Sequence, residues 1–110
     1  MRDHIDLRGE DDRAYRFMLV KDGRPLSPMG GNFAYVLEKA GDFEVVLVGE
    51  AQNLSKDAGQ RWDEAVLMYG APHLYMRLNI SEGVRQREHA DIITHASPPM
   101  NLGEAARYAG

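Results

Sequence analysis

Three of the four histidines, a glutamate beside one of them and a scatter of arginines are side chains here with chemistry to offer. His73, His89 and His95 suggest a zinc site at first sight. His89 and His95, however, stand six positions apart and fall on different faces of any helix, whereas a helical metal pair needs i,i+4 spacing. They read as structural or surface histidines. Glu88 is the carboxylate nearest to His89. One helical step turns a side chain by about 100°, so the two cannot face one point equally. Arg77, Arg85 and Arg87 make either a phosphate-facing patch or a solvated surface. Glu82, Glu88 and Asp91 interleave with them and favour the solvated surface.

The elements that must position these groups follow from the pattern of the chain. Residues 1–13 are charged and are expected to be loosely ordered. AYRFMLV (14–20) predicts a strand, Asp22-Gly23 a tight turn, and RPLSPMGG (24–31) a loop. FAYVLEK (33–39) and FEVVLV (43–48) predict a hairpin around Ala40-Gly41-Asp42, its second strand buried on both faces. Asn53 caps a helix predicted over 54–69, with Leu54, Ala58, Trp62 and Ala65 or Val66 as its apolar stripe. Gly70-Ala71-Pro72 ends it, and HLYMRLNI (73–80) reads as a strand. Ser81 caps a second helix running to about residue 95, which Ser97-Pro98-Pro99 stops. LGEAARYAG (102–110) is expected to be helical or frayed. The predicted class is α+β: a small, mainly antiparallel sheet packed by helices, with an extra N-terminal strand.

With 110 residues, 44% of them hydrophobic, the chain suits one domain: an N-terminal extension (1–30), a module (31–101) and a tail (102–110). The absence of cysteine excludes disulfides and thiolate metal sites and fits a reducing compartment. MRDHIDLRGEDD carries no apolar signal region, and no run approaches the ~18 residues of a membrane span. A soluble, cytoplasmic protein without membrane contact is expected. Seventeen acidic against thirteen basic residues, a net charge of −4, argue against a strong general polyanion binder.

Three runs occur in a fixed order: Gly31-Asn32-Phe33, then Leu47-Val48-Gly49 leading to Asn53-Leu54, then His89-Ala90-Asp91-Ile92-Ile93 leading to Pro98-Pro99-Met100-Asn101. Together they resemble the GIY-YIG nuclease superfamily over about two-thirds of the chain. In that family a G-x-Y strand pairs with a Y-[IV]-G strand, an N-L-x-x-R helix follows, and a Glu-bearing helix leads into P-P-x-N. The resemblance implies a metal-dependent phosphodiesterase site, which the residues here do not fill. Phe33 and Leu47 stand where the family's tyrosines act on the attacking water and the scissile phosphate. Asp57 stands where its arginine neutralises phosphate charge. His89 stands where its glutamate holds the metal, unless Glu88 takes that place. Asn101 matches, although such an asparagine serves equally as a structural cap. Tyr35 shares the face of Phe33 on a strand and offers a substitute hydroxyl, but core use of such a tyrosine is commoner. Arg61 reaches toward a phosphate or, as favoured, forms an exposed i,i+4 pair with Asp57 contributing about 0.3–0.5 kcal/mol.

The resemblance therefore implies a catalytically degenerate domain acting as a binding or regulatory module. Its partner would be a protein, a second copy of the chain or a nucleotide-like ligand, with no cofactor. Mg²⁺ or Mn²⁺ enters only in the alternative, a working phosphodiesterase using Glu88, Tyr35 and Arg61. A third reading is a non-cleaving nucleic-acid binder using Lys56, Arg61, Arg77, Arg85 and Arg87.

Overall fold

The structure, a computed structural model, describes residues 2–22 and 24–102. Gly23 of the expected tight turn and the Ala-rich end from residue 103 lie outside the described residues. The rest is an α+β fold. Its sheet holds β1 (His4–Arg8), β2 (Ala14–Leu19), β3 (Gly31–Lys39), β4 (Asp42–Ala51) and β5 (His73–Leu78) in the order β1-β2-β5-β3-β4. Every neighbouring pair is antiparallel. The helices are α1 (Leu54–Asp57), α2 (Trp62–Tyr69) and α3 (Glu82–Ala96). Among the described residues no helix is long and apolar enough to cross a membrane.

The N-terminal stretch departs from expectation. Residues 4–8 form a strand and 10–12 a turn of 3₁₀ helix, so the extension contributes a hairpin instead of a lone strand. Ile5 and Leu7 alternate with His4, Asp6 and Arg8, and only the two apolar residues are buried. That alternation suffices for a half-buried strand.

Asp91 of α3 pins this segment. Its carboxylate accepts the Glu10 N–H at 2.8 Å and the Tyr15 hydroxyl at 2.6 Å. Burial opposes ionisation of Asp91, but these two bonds and the Arg13 charge outweigh it and hold its pKa below the ordinary value. A carboxylate with a depressed folded pKa stabilises the fold above its unfolded pKa and loses that contribution as pH falls through the folded one. Asp91→Asn is therefore expected to melt below the parent at neutral pH. The gap should narrow as pH drops below about 4, the unfolded carboxylate range. Thermal midpoints across that range check this, and a constant gap would contradict it.

The β3–β4 hairpin turns through Ala40 (φ 30°) and Gly41 (φ 87°), the positive-φ pair a two-residue loop requires. Register runs Lys39↔Asp42 to Gly31↔Ala51, with a bulge between Tyr35↔Leu47 and Val36↔Val45. Val46 is the extra residue. The bulge switches the faces of β4, so that Val45 and Leu47 point to opposite sides of the sheet. Two cores result. Ile5, Phe17, Val36, Val48 and Tyr75 pack on Ile92 and Ile93 of α3. On the other face Phe33, Tyr35 and Leu47 pack against Leu54, Ala58 and Ala65. The strand expected to be buried on both faces is thus an edge strand covered on both sides, while β3 lies inside the sheet. Arg2 bridges toward β4, donating to the Gly41 carbonyl at 2.9 Å and lying over the Phe43 ring, so the sheet curls around α3.

The single helix predicted over 54–69 is two. Asn53 caps α1 as expected, accepting the Lys56 N–H. The Ala58 carbonyl, which Trp62 would cap in a continuous helix, instead accepts the Tyr35 hydroxyl at 2.6 Å, and the Trp62 N–H turns to Gly59. The apolar stripe survives the break: Leu54, Ala58 and Ala65 are buried, and Trp62 meets the Tyr35 ring edge-on at 5.1 Å. α3 begins on Ser81, whose hydroxyl accepts from Val84, and ends on left-handed Ser97 before Pro98.

Candidate functional site

A cleft of about 400 Å³ runs along the open edge of β4. β3 contributes Phe33, β4 contributes Leu47, Gly49 and Glu50, the α1–α2 connection Gln60 and Arg61, and α3 Gln86 and His89; Asn101 also lines it. A Cβ on Gly49 would collide with the Phe33 ring, its partner across the hairpin. Glycine there lets the ring lie against the strand.

Four positions identified from the sequence runs therefore meet although they lie far apart in the chain: Phe33, Leu47, His89 and Asn101. Phe33 and Leu47 are nearly buried and bring carbon surfaces without a hydroxyl. His89 is buried within α3. Asn101 has a structural task, since its Oδ1 accepts the Val48 N–H at 2.8 Å and its Nδ2 donates to the Val48 carbonyl at 3.0 Å. Its carboxamide stands where a further strand would continue the sheet.

Arg61 also lines the cleft, but its partner is Glu64, not Asp57. Two parallel bonds of 2.9 and 2.8 Å join the guanidinium to that carboxylate, and Nη1 donates to the Met100 carbonyl at 2.9 Å. Hydrogen bonding from Arg61 holds Glu64 below its ordinary pKa. Asp57 instead accepts from the Gln60 side chain at 2.9 Å. The expected i,i+4 pair fails because the helix breaks between the two residues.

Tyr35, the candidate substitute hydroxyl, is fully buried and spends its O–H on Ala58. Burial pushes its pKa up, which keeps the phenol protonated. Glu88 points away from the cleft. It accepts from Arg77 Nε and Asn79 Nδ2, each at 2.9 Å, on the side of α3 facing β2 and β5. Glu88, Tyr35 and Arg61 thus occupy three different environments and do not converge.

The remaining cations are dispersed. Arg77 pairs with Glu88 and lies over the Tyr15 ring, Arg85 is buried against Glu50, and Lys56 and Arg87 are exposed on different helices. Among the described residues no group of three or more His, Asp or Glu side chains is placed to hold a metal ion. Of the described lining residues Glu50 alone carries a carboxylate, and Arg85 contacts it at 3.4 Å. Mg²⁺ is usually held by one or two carboxylates with water completing its shell, and the one carboxylate among the described residues lining this cleft is already in contact with a guanidinium.

Glu50, Gln60 and Gln86 are the cleft residues that sequence reasoning missed. Glu50 follows the Leu47-Val48-Gly49 run directly, which was a usable signal. The two glutamines carry none, because a carboxamide has no distinctive spacing rule. No protein-family model matches the chain, and neither a curated protein nor a solved structure matches it.

Proposed function

We propose that the chain is a cytoplasmic binding or regulatory module: a GIY-YIG-like domain without the nuclease's chemistry, whose β4-edge cleft receives its ligand. One observation carries this reading. Phe33, Leu47 and His89, three of the four non-catalytic replacements at family positions, line the same cleft; the fourth, Asp57, is not among its lining residues, and Glu88 and Tyr35, needed for substitute chemistry, are engaged elsewhere. A cleft of this kind, part apolar and part polar, suits binding. Phosphodiester cleavage would need an activated water and a group to stabilise the charge developing on phosphate. Arg61 is held in a two-pronged contact by Glu64.

Incubation with Mg²⁺ or Mn²⁺ and supercoiled DNA, single-stranded DNA or RNA tests the reading. No cutting above the metal-only control is expected. Metal-dependent cutting abolished by Glu88→Ala would overturn it in favour of the phosphodiesterase.

A further inference from the structure

We infer that the free edge of β1 docks an extended peptide segment, taken up as a sixth strand, whose side chains run acidic, apolar, basic, apolar, acidic. This surface is separate from the β4-edge cleft, and the inference does not depend on what the cleft binds. The two edges of the sheet differ. At β4 the Asn101 carboxamide serves the outward groups of Val48. β1 carries no such plug among the described residues. The Leu19 N–H donates to the Asp3 carbonyl and the Gly9 N–H to the Arg13 carbonyl, each at 2.8 Å, which fixes the alternation along the strand. Asp3, Ile5, Leu7 and Gly9 turn their backbone groups to β2, so His4, Asp6 and Arg8 turn theirs outward.

A groove of about 480 Å³ runs along this edge, lined by Arg2, His4, Ile5, Asp6 and Arg8, with Phe43 of β4 across from them. A wall supplied by the same chain favours one added strand over the whole sheet of a second copy. Backbone bonds would hold such a strand, and alternate side chains would select it. Ile5 and Leu7 face α3, and Phe43 packs against the same cluster, so ligand residues opposite them meet carbon. His4, Asp6 and Arg8 lie on the other face, exposed or half-exposed. Asp6 and Arg8 keep capacity there: Asp6 gives one oxygen to Arg16, and Arg8 one nitrogen to the Asp12 carbonyl. A basic residue opposite Asp6 and an acidic one opposite Arg8 make cross-strand pairs. A second acidic residue, opposite His4, lies at the end of the groove that Arg2 lines. Edge charges of one sign would repel strands indiscriminately, whereas alternating signs choose among them.

Amide-resolved NMR titration of the full chain tests this with the capped peptide Glu-Val-Lys-Val-Glu and its charge-exchanged counterpart Lys-Val-Glu-Val-Lys. Shifts are expected at Ile5–Arg8 and Phe43, with the first peptide binding about tenfold tighter and losing that advantage at high salt. Every strand pair in this sheet is antiparallel, and in that arrangement the lysine N–H points at Asp6 while the valine N–H groups point away. N-methylation of the lysine nitrogen should therefore weaken binding at least tenfold, and N-methylation of a valine should not. Asp6→Lys combined with Arg8→Glu, both at the surface, should reverse the preference between the peptides. Absence of β1 shifts with either peptide, or equal losses from the two N-methylations, would overturn the inference. So would self-association of the unliganded chain in sedimentation with shifts at the same amides, which gives the edge to a second copy.

Discussion

Asn101→Ala is expected to destabilise the fold by about 2–4 kcal/mol, because it strands two buried backbone groups at once. β4 is an edge strand, and among the described residues no strand meets the outward N–H and carbonyl of Val48. The Asn101 carboxamide serves both, at 2.8 and 3.0 Å, and is itself only 2% exposed. An unsatisfied buried donor or acceptor costs about 1–3 kcal/mol each, and truncation leaves both unmade. Asn101→Asp should not rescue the loss. It keeps an acceptor for the Val48 N–H but sets a carboxylate against the Val48 carbonyl in a site with little water. Urea denaturation reads the effect, with a fall in thermal midpoint of roughly 4–8 °C per kcal/mol for a domain near this size. A change within about 0.5 kcal/mol, the usual range for an uninvolved surface residue, would contradict the edge-capping role. It would leave Asn101 as a ligand-facing group only.

The same residue marks where sequence reasoning reached and where it stopped. Pro98-Pro99-Met100-Asn101 was visible as a helix stop, and Ser81 as a cap, since both act within one turn of chain. The β3–β4 hairpin was legible for a similar reason: an apolar run, a two-residue loop and a second apolar run leave few alternatives. The bulge at Val46 was not legible, although it decides which face Leu47 occupies. Strand β1 was obscured because Ile5 and Leu7 sit among charged residues that dominate any average over the window. The helix break shows the limit most clearly. The apolar period continues unbroken from Leu54 to Ala65, and only the Tyr35 hydroxyl, a residue from another element, takes the carbonyl that a continuous helix would use.

The site divides along the same line. Adjacent positions on a helix point about 100° apart, so Glu88 and His89 had to separate. Which of them faced the cleft depended on where α3 lies against the sheet. Asn79 and Arg77 draw Glu88 toward β5, and that leaves His89 on the cleft side. Arg61 lines the cleft but pairs with Glu64 and not Asp57, because the i,i+4 pairing assumed an intact helix. The contact between Glu50 and Arg85 was invisible in the sequence. Glu50 and Arg85 stand 35 residues apart and meet only when α3 crosses the end of the hairpin.

That pair gives the second large effect expected, and its two halves should be unequal. The Arg85 side chain is 4% exposed and that of Glu50 21%. Arg85 Nη1 donates to the Ile80 carbonyl at 3.0 Å, and a Cβ on Gly30 would come within 2.7 Å of that nitrogen, so the guanidinium has little room to move. Glu50→Ala therefore leaves a buried, immobile cation without its anion. Breaking a buried pair in this way costs about 3–5 kcal/mol. The long 3.4 Å contact and the partial exposure of Glu50 place this case near 2–3 kcal/mol, below that range. Arg85→Met removes the buried charge and keeps most of the volume. It leaves behind the carboxylate that water can still reach, so its cost should be about 1 kcal/mol. The double variant should be more stable than Glu50→Ala alone, because the second change removes the charge that the first one strands. Denaturation of all four forms, the parent included, closes this double-mutant cycle. Equal losses from the two single changes, or simple additivity in the double, would mean that Arg85 is solvated or paired in some other way.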